Sequence, residues 1–297
     1  MRKVYLLLCA LLLSVPGLYA QRELKNPLIN SKDIITKGVA LHQEKKYKEA
    51  VAEYLKVPAS DTNYATVLHE LILSYYTDSN YVEAEKYSHI GLSMFPEERS
   101  KWYGFLANVY DDTERSELAL STYDSILVQN PNNYLVWFNK GITLFRQEKY
   151  EAAAADFKKC ALINPYYSSV HYYLGKLAML KGNFVPATLS FATALTISPE
   201  TPYQAYIINY LKTIAEVNTA ANEFLQQYKA GKEDNFDEVH DILISKAALN
   251  KNYKLKADLE DQIVRQLQVV IEKIEFNAGD KGFWMQYYVP LFKKLWD

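Results

Sequence analysis

Residues 134–165 read YLVWFNKGITLFRQEKYEAAAADFKKCALINP. Seven positions in this stretch are Trp137, Gly141, Leu144, Tyr150, Ala153, Phe157 and Pro165. Each recurs, as the same or a similar residue type, about 34 residues upstream and downstream. Self-similarity at such a period marks stacked helical units, each too small to bury its own apolar face.

Two columns extend the pattern along the chain. The small or medium residue of the first helix is Gly38, Ile72, Ala107, Gly141 and Gly175, at spacings of 34, 35, 34 and 34. The Ala of the second helix is Ala50, Ala84, Ala119, Ala153 and Ala187, at the same spacings. Small side chains let two antiparallel helices approach to about 8 Å. Gly inside a helix costs up to about 1 kcal/mol against Ala, so its recurrence has a packing reason. Tyr47, Tyr81, Tyr150 and Phe184 open the second helices, and Ser116 in the third unit predicts a less well packed joint there. Four residues after the Ala stand Tyr54, Tyr123, Phe157 and Phe191, with Ser88 the exception. Pro96, Pro131, Pro165 and Pro199 close four units, because Pro lacks an N–H and ends a helix. The first unit has no Pro at that position.

These residues resemble the tetratricopeptide repeat family. The resemblance covers residues 31–200 in five units, near 31–64, 65–99, 100–133, 134–167 and 168–201. It is best in LGKLAMLKGNFVPATLSFATALTISP, Leu174 to Pro199. It implies an all-α fold, a right-handed α-solenoid of five to six hairpins with C-terminal capping helices. It also implies a non-enzymatic protein that binds a protein or peptide, needs no cofactor, and lines a concave groove with its first helices.

Residues 202–229 carry a degenerate sixth unit, in which Ala221 follows Ala187 by 34 but the small residue expected near Asn209 is missing. The last third, 230–297, keeps no period. Phe236–Leu249 and Tyr253–Phe276 read as helices, the latter with Leu255, Leu259, Ile263, Leu267, Val270, Ile271 and Ile274 on one face. Residues 230–235 and 277–282 read as loops, and Phe283–Trp296 as an aromatic tail containing Pro290. A solenoid end exposes an apolar face, so capping is the expected role of this region.

The amino terminus has the three parts of a secretory signal: Arg2 and Lys3, an apolar run from Val4 to Val15, and Ala20 before Gln21. The run stops at Pro16, short of the roughly 20 apolar residues of a spanning helix. We therefore expect residues 1–20 to be a cleaved signal, with Gly17 a second place for the cut. The mature chain would be periplasmic or secreted, from a bacterial envelope, with no stable membrane span. Without those residues the balance is 31 basic against 35 acidic side chains, which gives no field to attract nucleic acid. Cys160 is then the one remaining cysteine. Three residues after Phe157, it reads as a buried apolar side chain and not a reactive thiol.

No phosphate-binding Gly loop, paired zinc ligands or nucleophile elbow is present. His42, His69, His89, His171 and His240 are scattered, without a His or Cys partner at helical spacing. His240, in DEVHD, reads as part of a solvated helix start where acids favour the dipole.

A surface is the remaining candidate. The repeat register turns Ile35, Val39 and His42 inward in the first unit, His69, Leu73 and Tyr76 in the second, and Lys101, Asn108 and Asp111 in the third. The fourth contributes Phe138, Ile142, Phe145 and Arg146, the fifth Tyr172, Lys176 and Met179, and the sixth Tyr203, Tyr206 and Tyr210. The candidate protein-binding residues are Tyr76, Phe138, Ile142, Phe145, Arg146, Tyr172, Lys176, Met179, Tyr206 and Tyr210, an aromatic set with a few charges that resembles a binding hot spot. Three occupants fit it: a partner segment, the chain's own C-terminal helices, or a glycan lying on the tyrosines. The column that in one subgroup of the family grips a terminal carboxylate reads Val39, Leu73, Asn108, Ile142, Lys176, which does not match that subgroup.

Overall fold

Each hairpin is built by one recurring turn. In the computed structural model, which describes residues 29–216, 223–227, 234–250, 252–256, 260–276 and 279–296, the first helices end at a residue in the left-handed region. These residues are Lys45, Ser79, Glu114, Glu148 and Gly182, with φ between 58° and 67°. Around each, two backbone bonds satisfy the helix's last carbonyls. Glu148 N–H donates to Phe145 O and Lys149 N–H to Leu144 O, both at 3.0 Å, and the other four turns repeat the pair. This is the Schellman closure, and it fixes the angle at which the second helix departs.

The hairpins are α1 (Ser31–Gln43) with α2 (Tyr47–Tyr54), α3 (Tyr64–Thr77) with α4 (Tyr81–Met94), α5 (Arg99–Asp112) with α6 (Ser116–Gln129), α7 (Tyr134–Arg146) with α8 (Tyr150–Ile163), and α9 (Ser168–Leu180) with α10 (Phe184–Ile197). Asn30, Asn80 and Asn133 cap first or second helices by accepting a backbone N–H of the opening turn. Phe95, Asn130, Asn164 and Ser198, each before a closing Pro, leave the helical region, as pre-proline residues must. In the first hairpin the proline stands one turn early, at Pro58, and α2 has 8 residues where α4, α6, α8 and α10 have 14.

The packing reason for the small column is visible at each glycine. A Cβ on Gly38 would run into the Tyr54 ring, and one on Gly141 or Gly175 would lie 2.6 Å from Phe157 or Phe191. The helix-two aromatic occupies the space that the glycine vacates. In the second hairpin the sizes are exchanged: Ile72 is the large member, and Ser88, in the aromatic's place, is buried with its hydroxyl bonded to Ala84 O. The exception at Ser88 is thus compensated across the helix pair. In the third hairpin, Ser116 leaves the turn without an opening aromatic, and the Arg115 guanidinium lies 4.6 Å from the Tyr110 ring at that end instead. In the first, second and fourth hairpins that end is closed by the ring pairs His42–Tyr47, Tyr76–Tyr81 and Phe145–Tyr150.

The chain divides into two compact units, one ending at Arg99 and one beginning at Ser100. The first has its own core of Ala50, Tyr54, Val57, Val67 and Leu71. In the second, α11 (Gln204–Glu216) follows the fifth hairpin; Ala221, which the sixth unit was expected to place on its second helix, and the predicted signal lie outside the described residues. Then come α12 (Asp237–Ile244), α13 (Gln262–Lys273), α14 (Phe283–Tyr287) and α15 (Val289–Trp296). The helix expected from Tyr253 begins only at Gln262, where the Asp261 side chain accepts from Val264 N–H; Tyr253–Lys256 is irregular. The Arg265 guanidinium holds that irregular stretch, donating to the carbonyls of Ala248, Asn250 and Tyr253. His240 is also placed differently from expectation. It is buried against the Phe184 ring, and its neighbours Asp237, Glu238 and Asp241 take the solvent side.

These terminal elements cover the second helices. Every residue of α10 from Phe184 to Ala194 is buried, because α9, α11, α12 and α13 pack around it and Trp284 of α14 reaches its Ser190. Trp284 Nε1–H donates to Ser190 Oγ at 3.1 Å, Tyr287 O–H to Ala161 O at 3.0 Å, and Lys158 Nζ lies over the Phe283 and Trp284 rings. His171 is the link. Its Nε2 is 2.8 Å from Pro165 O, which can only accept, so Nε2 carries the proton. Its Nδ1 then accepts from the Tyr288 hydroxyl at 2.7 Å. Trp137 donates to Pro131 O at the equivalent position, so His171 is a repeat residue whose second nitrogen has been recruited by the tail.

Three outcomes follow from this packing. Gly141→Ala gains up to about 1 kcal/mol of helix propensity but meets the Phe157 ring, and overpacking of this kind costs about 1–3 kcal/mol. The variant should lower the thermal midpoint, and Phe157→Leu should be less harmful in its presence than alone, a coupling read by a double-mutant cycle. Glu148→Gly should raise stability by about 1 kcal/mol, the order of the left-handed penalty it removes, measured by urea denaturation. Burial pushes the His171 pKa down from 6.5 to about 4. The folded value lies below the unfolded one, so its contribution is complete above pH 6.5 and is lost as the pH falls toward 4. Asp156, pushed up to about 6 by burial, is relieved by the same acidification. The readout is therefore the difference between His171→Gln and wild type, and the midpoint of the variant should fall less steeply over that window.

Candidate functional site

The first helices of the second compact unit meet side by side through residues one period apart. Arg146 of α7 donates to Asp111 at 2.6 Å and to Asp112 at 3.1 Å, both on α5. Asn108 Oδ1 accepts from the Tyr123 hydroxyl at 2.9 Å and from Asn139 Nδ2 at 3.1 Å. This end of the face is therefore a closed polar network. Burial raises the Asp111 pKa, and the Arg146 guanidinium opposes that shift.

From α7 onward the face is aromatic. The Tyr172 and Tyr203 rings are stacked 4.1 Å apart at an interplanar angle of 3°. Tyr210 stacks on Phe191 at 5.2 Å. Tyr173, which the register did not single out, is the centre of the cluster: its ring meets Phe138, Phe145, Phe157, Tyr172 and Tyr203. Lys176 places its Nζ 4.7 Å from the centre of the Phe145 ring, at cation–π distance. Burial raises the pKa of Tyr172, Tyr210 and Tyr173, the last to about 12, so these hydroxyls are protonated donors at neutral pH.

The ten predicted residues separate by burial. Phe138, Tyr172 and Met179 are buried and form the wall between successive hairpins. Ile142, Phe145, Lys176 and Tyr210 are half-buried at its surface, and Arg146 is exposed but engaged by two carboxylates. Tyr206 is the most open of the aromatics, at 62% exposure. Tyr76 belongs to the first compact unit, where its ring meets Tyr81 edge-on. The hydrogen bonds and ring contacts of residues 283–288 described above run to α8, α10 and His171. None of them reaches Ile142, Phe145, Lys176 or Tyr206. Cys160 is buried, and burial pushes its thiol up to about 12, the opposite of an activated nucleophile. Among the described residues no group of three His, Cys, Asp or Glu could hold a metal ion.

The tetratricopeptide repeat profile matches residues 106–167, from the middle of α5 through the fourth hairpin. No curated protein matches the sequence. Several solved structures are similar to part of this chain. A thermophilic TPR protein of Thermus thermophilus, TTC0263, is 19% identical at a TM-score of 0.49, covering 61% of this chain and 98% of its own. MamA from Desulfovibrio magneticus RS-1 is 14% identical at 0.47, covering 58% and 97%. YrrB, described as a TPR protein with an unusual peptide-binding site, is 21% identical at 0.42, covering 59% and 90%. The profile match identifies a tetratricopeptide repeat at residues 106–167, and the same turn and the same helix pairing recur in five successive hairpins from Ser31 to Ile197.

Proposed function

We propose that this protein is a non-enzymatic adaptor that holds a segment of a partner protein on the first-helix face of α7, α9 and α11. The observation that carries the reading is the combination of a rigid aromatic wall and an open aromatic in front of it. Tyr172, Tyr173 and Tyr203 are immobilised by their ring contacts, and Tyr206 stands exposed on α11, the helix that also carries Tyr210. Preorganised aromatics lose little side-chain entropy on binding, which is why Tyr is enriched in binding hot spots. Lys176 and the tyrosine hydroxyls supply donors, so a partner would use backbone carbonyls and carboxylates as well as apolar side chains. In this reading the amino-terminal signal sends the protein to the envelope of a bacterium or outside the cell.

The same geometry chooses the test residues. Truncating Phe138 or Tyr172 would damage the wall, whereas Tyr206 and Lys176 lie at the surface. Protein carrying an affinity tag should retain a discrete partner from an envelope extract. Tyr206→Ala with Lys176→Ala should reduce that recovery by about 30-fold, the equivalent of one hot spot at ~2 kcal/mol, with an unchanged helical circular-dichroism spectrum. Equal recovery by the double variant would move the binding surface elsewhere.

A further inference from the structure

The side of the second compact unit opposite the proposed partner face carries another concavity. It lies where the tail crosses the fifth hairpin, with α10 on one side, the Pro165–Tyr166 turn at one end, and α14–α15 on the other side. Its volume is about 370 Å³, and its walls include Tyr166, Thr193, Thr196, Leu291, Phe292 and Leu295. The repeats alone do not make this cleft, since half of it is contributed by the aperiodic tail.

Its chemistry is uniform. The lining contains no charged side chain. Three of the four hydroxyls in the lining are committed to carbonyls, Thr193 Oγ1 donating to Leu189 O, Thr196 Oγ1 to Ala192 O, and the Tyr287 hydroxyl to Ala161 O, while that of Tyr166 belongs to a largely exposed side chain at the rim. What faces the space is methyl, methylene and ring surface. A concavity of this size and apolarity is in the range that binds small molecules. Around the mouth, large apolar side chains remain exposed: Tyr166 at 80%, Leu295 at 66% and Leu291 at 43%. Leu291 and Leu295 are one helical turn apart on α15, and Lys294 stands exposed beside them. No described carboxylate pairs with Lys294. The helix α10 that forms the floor, FVPATLSFATALTI, has no charged residue at all. The site thus offers an apolar slot with no acid among its lining residues and an exposed lysine one residue from Leu295 at its rim.

We propose that this cleft binds the aliphatic chain of a single-chain anionic amphiphile, of the fatty-acid class, with its head group beside Lys294. The apolar walls take the chain, and release of ordered water from exposed Leu and Tyr surface drives entry. Lys294 selects the sign of the head group, an exposed interaction that salt weakens.

The test is calorimetric titration of the full mature chain with three probes that share one chain length: dodecanoate, 1-dodecanol and dodecyltrimethylammonium. Dodecanoate should bind saturably with one site, more tightly than dodecanol and at least tenfold more tightly than the cation. Thr196→Trp, which fills the mouth from α10, and Leu295→Asp, which puts a negative charge there from α15, should each weaken dodecanoate at least tenfold. Lys294→Gln should remove the preference for dodecanoate over dodecanol and leave dodecanol binding unchanged. Far-UV circular dichroism identifies either blocking variant that fails to fold, and the other then decides. Non-saturable uptake, or equal affinity in wild type and the folded blocking variants, overturns the proposal. So does preference for the cationic probe. Vesicles of phosphatidylglycerol form a separate arm: a protein that sediments with them through this cleft, and binds no free dodecanoate, also overturns the single-chain assignment.

Discussion

The contact on which the rest of this protein depends is the one between a small residue of each first helix and the aromatic that fills its space from the second. Gly38 with Tyr54, Gly141 with Phe157, and Gly175 with Phe191 are in contact so close that no Cβ fits. Ala107 opposite Tyr123 is a milder version, and Ile72 opposite Ser88 reverses the sizes. The volume is conserved even where the residue types are not, as expected of interiors packed near crystal density. Because this contact sets how near the two helices lie, it also sets where the next hairpin must begin. Every surface on the array inherits that spacing.

Two faces follow from it, and they have been used differently. On the first-helix side, residues of successive units meet directly, so aromatics such as Tyr172 and Tyr203 stack into a wall while Tyr206 remains open. On the second-helix side, α10 is uncharged, its threonine hydroxyls are bonded to its own carbonyls, and it has been covered by the elements that follow it. A helix of that composition cannot face water alone. His171 shows how the two systems were joined. Its Nε2 performs the task of the Trp137 indole N–H in the preceding hairpin, and its Nδ1 reaches a tyrosine 117 residues away.

The functional surfaces proposed for the two sides have different chemistry for the same reason. The first-helix face has hydroxyls, Lys176 and ring edges available, because its backbone groups are satisfied within helices and its rings are held by each other. The tail cleft is apolar inside, because the hydroxyls of Thr193, Thr196 and Tyr287 already bond carbonyls.

Sequence periodicity determined the architecture because the forces that build a hairpin act within one period. Gly141 and Phe157 are sixteen residues apart, and their sizes are written in their names. So are the closing prolines, and Cys160 was legible as core from its spacing to Phe157. The turn column was not legible: Lys45, Ser79, Glu114, Glu148 and Gly182 share a backbone conformation and no side-chain property, so only geometry reveals them. Nor was the inward face of His240, the central place of Tyr173, or the burial of Phe138, Tyr172 and Met179, since each depends on which neighbour packs alongside. Tertiary structure alone decided where the tail goes. Its apolar residues could cover either face of the array, and the choice rests on contacts such as His171 with Tyr288 and Ser190 with Trp284, between residues too distant in the chain to leave a periodic trace.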